Sequence, residues 1–331
     1  MHTSNLYRIP VQEQLADLLC QISGMDKVFF SNSGAEANEA AVKLARLFGH
    51  HKQIDNPSII VMEQAFHGRT MATLTATGNR KAQAGFEPLV SGFVRAPWND
   101  LDALTRIVQS NKNIVAILLE PIQGEGGINM PADDYLTGIR ALCDEHDLLM
   151  MLDEIQTGNG RTGTYFAFQH SGARPDVLTT AKGLGNGFPI GACLVSGKAS
   201  DLFGPGSHGS TYGGNPLGCA TAHTVVSTLQ REVIAQVNAR GEYLRQALRE
   251  SLADISLVTD IRGAGLMTGI ELDRDCGELV GLCRDRGLLI NVTAGKVIRL
   301  VPPLVISESE IDQLVRLLAE AVQAFVDTQE A

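Results

Sequence analysis

Short runs of apolar and β-branched residues recur along the first part of the chain, at positions 27–30, 58–62, 114–119, 148–152, 177–180 and 191–195. Runs of this length predict strands. Between several of them the apolar spacing changes to three and four. Asn99 or Asp100 can cap a helix that puts Leu101, Leu104, Ile107 and Val108 on one face, and Tyr135, Leu136, Ile139, Leu142 and Cys143 repeat that spacing. Strand alternating with helix predicts a mostly parallel sheet covered on both faces. The texture changes at Asn215-Pro216, where asparagine can cap and proline suits the first helical position, and a long helical region is expected to about Leu252. Beyond it, strand candidates at 269–272, 288–292 and 297–301 alternate with helix signals. The chain closes in a helix whose Ser307 and Glu310 form a capping box and whose Ile311, Leu314, Val315, Leu318 and Val322 make one stripe. The expected fold class is α/β, with a large α/β domain over 1–225 followed by a smaller α+β domain over 226–331.

Composition narrows the function by exclusion. With 44% hydrophobic and 19% charged residues, the 331-residue chain has ample core material and too little charge for disorder. Its 27 basic residues against 37 acidic ones, with no basic cluster, disfavour nucleic acid and anionic membrane as partners. The longest apolar runs fall far short of the ~18 residues that span a bilayer. The opening stretch MHTSNLYRIPVQEQ has no basic start followed by an apolar segment. Six cysteines without a CxxC pair read as reduced thiols of a cytosolic protein, and eight histidines without ligand spacing leave no metal expected.

Glycine supplies the positive clue. The 34 glycines cluster in SGAEAN, EPIQGEGG, QTGNGRTG, KGLGNG and STYGGN, each at or just after a short apolar run, where ligands bind on an open α/β sheet. Asp153 follows the run 148–152 and should stand at a strand's C-terminal end, and Lys182 ends another strand before small residues. Singly, these read as a loop-start carboxylate and a solvated cation. Together in one glycine-lined cleft they are what a pyridoxal phosphate enzyme requires: an amine to form a Schiff base with the cofactor aldehyde, and a carboxylate to hold the pyridine nitrogen protonated. The stretch from Ser31 to Asn38 runs from a strand into a glycine turn and the start of a helix, whose free N–H groups suit a phosphate, a role compatible with an ordinary serine cap. One motif competes. Residues Gly158 to Gly163 satisfy GxGxxG, but DEIQT separates them from the strand and TYF follows where a helix should. A nicotinamide-dependent enzyme is therefore the alternative from another class. An inactive homologue or binding module is the non-enzymatic one, and intact Lys182 and Asp153 count against it.

Seven motifs in order, SNSGAEANEAAVKLAR, AFHGRT, EPIQGEGG, LDEIQTGNGRTG, AKGLGNGFPIGA, HGSTYGGNPLGCA and VIRLVPPL, resemble the class III (ω-) aminotransferases, fold type I pyridoxal phosphate enzymes, over about residues 4–325. The resemblance implies pyridoxal 5'-phosphate as cofactor, Lys182 as the Schiff-base lysine and Asp153 as the partner of the pyridine nitrogen. It places Gln156 near the ring hydroxyl, Phe66 stacked on the ring beside His67, and Ser33, Gly34 and Ala35 at the phosphate turn. Ser210 and Thr211 are then expected to reach the phosphate across a homodimer interface. Arg69 and Arg299 match positions that bind substrate carboxylates, and Glu125 the residue that pairs with Arg299 when the substrate is not a dicarboxylate. The reaction implied is transfer of the terminal amino group of N2-acetylornithine to 2-oxoglutarate, giving glutamate, within arginine biosynthesis and in the cytoplasm. Succinylornithine, succinyldiaminopimelate, ornithine and 4-aminobutyrate are the alternative donors, since enzymes acting on them share the cofactor residues. Family members usually carry several dozen further residues before the segment matched by the first residues here, so a truncated amino-terminal segment is expected.

Overall fold

The computed structural model describes residues 2–330. The chain packs as two compact units, the first comprising Met1–Pro121, Pro131–Asn159 and Tyr165–Leu229, the second Ile122–Met130, Gly160–Thr164 and Gln230–Ala331. The segments 122–130 and 160–164 fold with the second unit without any composition signal in the sequence.

The first unit is built on seven strands: β1 (Lys27–Ser31), β2 (Ser58–Met62), β3 (Phe93–Ala96), β4 (Ile114–Leu119), β5 (Leu149–Asp153), β6 (Val177–Thr180) and β7 (Gly191–Val195). They lie in the order β1-β7-β6-β5-β4-β2-β3. Neighbours from β6 through β3 are parallel, whereas β7 is antiparallel to both β6 and β1. Two reversals restore direction, so β1 runs with the parallel set. The C-terminal ends of β1, β2, β4, β5 and β6 consequently meet along one edge of the sheet. Every residue of β4 is buried, as a strand covered on both faces must be. One cover is the helix Gly34–His51, whose Ala41, Leu44, Ala45 and Phe48 pack with Ile59, Val61, Leu118 and Met151. Several elements have no counterpart in the apolar pattern, among them the short helices Met71–Ala76 and Arg80–Gln83, β3 and the first helix. β3 is short, and only Ala96 in it is buried; the helix Pro10–Ser23 begins at a proline with no side-chain cap.

In the second unit, β8 (Val258–Ala264), β9 (Met267–Leu272), β10 (Asn291–Thr293) and β11 (Val297–Leu300) form an antiparallel sheet in the order β10-β11-β9-β8. Leu244, Leu248, Ile270, Ile298, Leu318, Val322 and Phe325 share its core with helices Ile234–Ser251 and Glu308–Glu330. The closing helix has the expected capping box: Ser307 N–H donates to Glu310 Oε2 at 2.8 Å and Glu310 N–H to Ser307 Oγ at 3.3 Å. The expected strand at 288–292 shrinks to Asn291–Thr293, because Leu288 N–H bonds the carbonyl of Cys283 in a turn and Leu289 is exposed. The long helical region divides at a π turn, Leu229–Val233, between helices Pro216–Thr228 and Ile234–Ser251.

Candidate active site

At the strand-end edge of the first sheet lies a cavity of about 660 Å³. Each strand that ends there delivers residues to it: Asn32 and Ser33 after β1, Phe66 to Arg69 after β2, Glu120 after β4, Asp153, Ile155 and Gln156 from β5, and Ala181 to Gly183 after β6. This is the place an open α/β sheet offers to ligands. Nine expected site residues line it: Ser33, Gly34, Ala35, Phe66, His67, Arg69, Asp153, Gln156 and Lys182.

Asp153 is the most constrained of them. It closes β5 opposite Thr179 and is buried. Its Oδ2 accepts from Asn38 Nδ2 at 2.7 Å and stands 2.7 Å from His67 Nδ1, while Oδ1 accepts from the N–H of Ile155 at 3.1 Å. Asn38 extends the network, donating also to the His67 carbonyl at 2.8 Å and accepting from Thr179 Oγ1 at 2.7 Å. Asn38 was absent from the expected site. Its signal is a polar residue on the otherwise apolar buried stripe of the helix Gly34–His51. Next to Asp153, Glu154 is pushed up to about 7 by burial, against the opposing effect of bonds from the Phe168 and Ala167 N–H groups and the Thr157 hydroxyl.

Lys182 follows β6 with its backbone in the left-handed region at φ +45°, a conformation that costs a non-glycine residue energy and must be held by its surroundings. Asn159 does part of the holding: its Nδ2 donates to the Thr180 hydroxyl at 2.9 Å and to the Ala181 carbonyl at 3.1 Å, and its Oδ1 accepts from Tyr165 OH at 3.1 Å. A Cβ on Gly183 would stand 3.0 Å from Asn159 Cβ, which explains the glycine after the lysine. The GxGxxG motif thus braces the lysine segment.

The cavity's other walls are an aromatic face and a helix start. Phe66 N–H donates to Glu120 Oε2 at 3.0 Å, a contact that no motif signalled, and the Arg69 guanidinium lies 5.7 Å from the Phe66 ring centre. Ser33 caps the helix Gly34–His51, accepting from the N–H of Glu36 at 3.3 Å through its hydroxyl and from that of Ala37 at 3.1 Å through its carbonyl. The first-turn donors left for an external anion are those of Gly34 and Ala35. A Cβ on Gly34 would come within 2.7 Å of Ile155 Cδ1, so glycine keeps this corner open. Helix-start N–H groups, an aromatic face, a buried carboxylate and a lysine in one cavity fit a flat, phosphorylated heteroaromatic aldehyde. Among the described residues no group of His, Cys, Asp and Glu could hold a metal ion.

Four expected residues do not line this cavity. Thr211 is exposed; Ser210 Oγ accepts from Asn32 Nδ2 at 3.1 Å and from the Gly213 N–H at 3.0 Å. Glu125 and Arg299 belong to the second unit and meet each other there, Nη1 to Oε1, at 2.5 Å.

Comparison with known proteins agrees with this geometry. Residues 1–322 match the family described as aminotransferase class-III. The chain is 53% identical over 330 residues to the acetylornithine aminotransferase of Nitrosomonas europaea, covering 99% of this chain and 84% of that protein. It is 48% identical over 323 residues to the acetylornithine aminotransferase of Methanothermobacter thermautotrophicus, covering 97% and 81%. Among solved structures, an ornithine aminotransferase from Toxoplasma gondii with partial occupancy of PLP at its active site superimposes with a TM-score of 0.95 at 32% identity, over 100% of this chain and 80% of that one.

Proposed function

The chain belongs to the class-III aminotransferases, and from that premise we propose that it transfers the terminal amino group of N2-acetylornithine to 2-oxoglutarate. The products are N-acetylglutamate 5-semialdehyde and glutamate, and the step belongs to arginine biosynthesis. The observation that carries this reading is the placement of Asp153 and Lys182, at the ends of adjacent strands, in one cavity with a helix start.

Pyridoxal 5'-phosphate is the cofactor, and when bound it supplies an aldehyde that takes up and returns an amino group and a ring that accepts electrons. Asp153 holds a proton at the ring nitrogen, with Asn38 and His67 fixing the carboxylate. Phe66 would offer an aromatic face to the ring, Gln156 a partner for its hydroxyl, and the N–H groups of Gly34 and Ala35 donors for its phosphate. Lys182 Nζ would hold the cofactor's aldehyde carbon, and as a free amine it would move the proton at the substrate carbon that bears the amino group. Arg69 and Arg299 bind substrate carboxylates. Glu125 neutralises Arg299 for N2-acetylornithine, which has a single carboxylate, and releases it for glutamate, which has two.

The first unit is read as the cofactor-binding domain and the second as the small domain. The protein is further read as a cytoplasmic homodimer in which Ser210 and Thr211 serve the partner's phosphate. Exposure of Thr211 and Tyr212 and six free cysteines support this, and among the described residues no helix is long and apolar enough to cross a membrane.

The test is a half-reaction panel. Purified protein with pyridoxal phosphate is mixed with N2-acetylornithine, succinylornithine, succinyldiaminopimelate, ornithine and 4-aminobutyrate in turn, and the cofactor's visible absorbance is followed. N2-acetylornithine is expected to give the highest specificity constant. A higher constant for ornithine or 4-aminobutyrate would overturn the substrate assignment and leave the class standing.

A further inference from the structure

Glu125 sits near the tip of a small hairpin. Gln123 and Asn129 close it with reciprocal backbone bonds at 3.2 Å, and Asn129 Nδ2 donates to Gln123 Oε1 at 2.8 Å and to the Gly126 carbonyl at 3.1 Å. Its return arm is strained: Ile128, a β-branched residue with a fully buried side chain, has φ +52°. A turn of this kind persists only when its neighbours over-determine it, and one side chain does most of that here. Arg262, on β8, donates from Nη2 to the Gly127 carbonyl at 2.6 Å and from Nε to the Ile128 carbonyl at 2.8 Å. The guanidinium is itself fixed from the other side, Nη1 lying 2.9 Å from Asp260 Oδ2 and 2.6 Å from Glu271 Oε2. Ile128 also seats on β9, where a Cβ on Gly269 would stand 2.9 Å from Ile128 Cβ, and Gly269 is the ladder partner of Arg299. The hairpin that presents Glu125 is therefore pinned to the sheet that presents Arg299, with Arg262 and Arg299 flanking Gly269 on neighbouring strands, and Arg262 is the pin.

We propose that Arg262 is a positioning residue for substrate choice. By holding the carbonyls of Gly127 and Ile128 it keeps the hairpin where Glu125 meets Arg299, and so sets how readily that pair opens to a second carboxylate. The inference rests on the reading of Glu125 and Arg299 as the pair that distinguishes substrates with one and two carboxylates. A loosened hairpin leaves Arg299 poorly neutralised, which penalises N2-acetylornithine and spares glutamate. A planar fork is needed to reach two adjacent carbonyls while engaging two carboxylates, and lysine cannot supply it.

The experiment compares Arg262→Lys, which keeps the cation, and Arg262→Met, which removes it, with Glu125→Gln and with the double variant Arg262→Lys/Glu125→Gln, all as holoenzyme. The readout is the ratio of specificity constants for glutamate and N2-acetylornithine. Arg262→Lys is expected to raise that ratio about threefold and Glu125→Gln about tenfold, with the double variant no further than Glu125→Gln alone, because both act through one contact. Equal loss toward both substrates in Arg262→Lys, beside a shifted ratio in Glu125→Gln, would overturn the proposal and leave the pair's role intact. Additive shifts in the double variant would also overturn it. An unshifted ratio in Glu125→Gln would instead sink the reading of the pair itself. Should Arg262→Met fail to fold, the lysine variant alone decides.

Discussion

Two carboxylates in this molecule face a nitrogen at nearly the same distance in opposite surroundings. Asp153 lies 2.7 Å from His67 with side chains 4% and 0% exposed, whereas Glu125 lies 2.5 Å from Arg299 with side chains 39% and 11% exposed. The first carboxylate has two further donors, Asn38 and the Ile155 N–H, at the closed end of a buried strand. The second stands at the tip of a largely buried hairpin, its own side chain reached by water. Distance alone would rank the two as equivalent. Burial separates them, since removing one partner inside a protein leaves the other group unsatisfied, while an accessible pair can exchange its partner for water or for a ligand at little cost. A group that must hold a proton at a ring nitrogen throughout a reaction needs the first setting, and a group that must yield to a second substrate needs the second.

The sharpest break of that comparison removes chemistry and leaves structure. Lys182→Ala is expected to lower turnover by ~10³-fold or more, because it deletes the amine proposed to bond the cofactor and to move the proton. Lys182 is exposed, so the thermal midpoint of the cofactor-free protein should stay within about 2 °C of wild type. Multiple-turnover assays and thermal melts on the same preparations check both halves. Turnover above a few per cent of wild type, with contamination excluded, would remove Lys182 from its assigned role.

Asn38→Leu comes next, and it acts on structure and site together. Leucine fills a similar volume but leaves Asp153 Oδ2, the His67 carbonyl and the Thr179 hydroxyl short of a partner in a buried network. At roughly 1–3 kcal/mol for a buried group left unsatisfied, a loss of several degrees in the thermal midpoint is expected, along with about tenfold weaker pyridoxal phosphate binding by fluorescence titration. If midpoint and affinity both stay at wild-type values, His67 and Ile155 suffice to hold Asp153 and the first half of the comparison fails.

How much of this could be read from the chain follows the same division between buried and accessible. Ile114 to Leu119 announce a strand because every position is apolar, and every position is buried. Phe93 to Ala96 do not, because an edge strand with one buried residue needs no pattern. β8 shows no alternation, with no fully buried position, and its Arg262 matters through two backbone carbonyls that no local sequence could show. Lys182 and Asp153 were legible because strand ends are predictable and their chemistry is specific to residue type. Asn38 was not, since an amide takes its meaning from the partners that folding brings to it. The joining of 122–130 to the second unit left no mark, because a glycine-rich hairpin has the composition of any loop.

Glu125→Gln probes the accessible half. Because the Glu125 side chain is 39% exposed and water can take its place, the thermal midpoint should move by no more than about 1 °C, far less than for Asn38→Leu. The ratio of specificity constants should nevertheless shift toward glutamate if, as proposed, substrate choice depends on the pair's opening and not on its strength. A midpoint loss matching that of Asn38→Leu would mean that the pair is structural and that the contrast between the two regions is false.

A pH-dependent effect concerns two carboxylates that are neighbours in the chain. Glu154 is as buried as Asp153, but burial raises it to about 7 from its ordinary 4.5, with the N–H groups of Phe168 and Ala167 and the hydroxyl of Thr157 opposing the rise. Between these two values the folded protein keeps a proton on Glu154 that the unfolded chain has already released. Unfolding therefore releases a proton, and the stability this group contributes is fully present below pH ~4.5 and is lost as pH rises through about 7. The size is of the order of 1–3 kcal/mol, which for a chain of this length amounts to a few degrees in the thermal midpoint. Glu154→Gln is destabilised at every pH, because its amide NH₂ meets N–H donors, so the absolute midpoints decide nothing. The difference between wild-type and variant midpoints does: it should shrink as pH rises from about 5 to about 8. A wild-type advantage that grows with pH would show that the three donors outweigh burial, so that Glu154 is held charged as firmly as any anchor in the site.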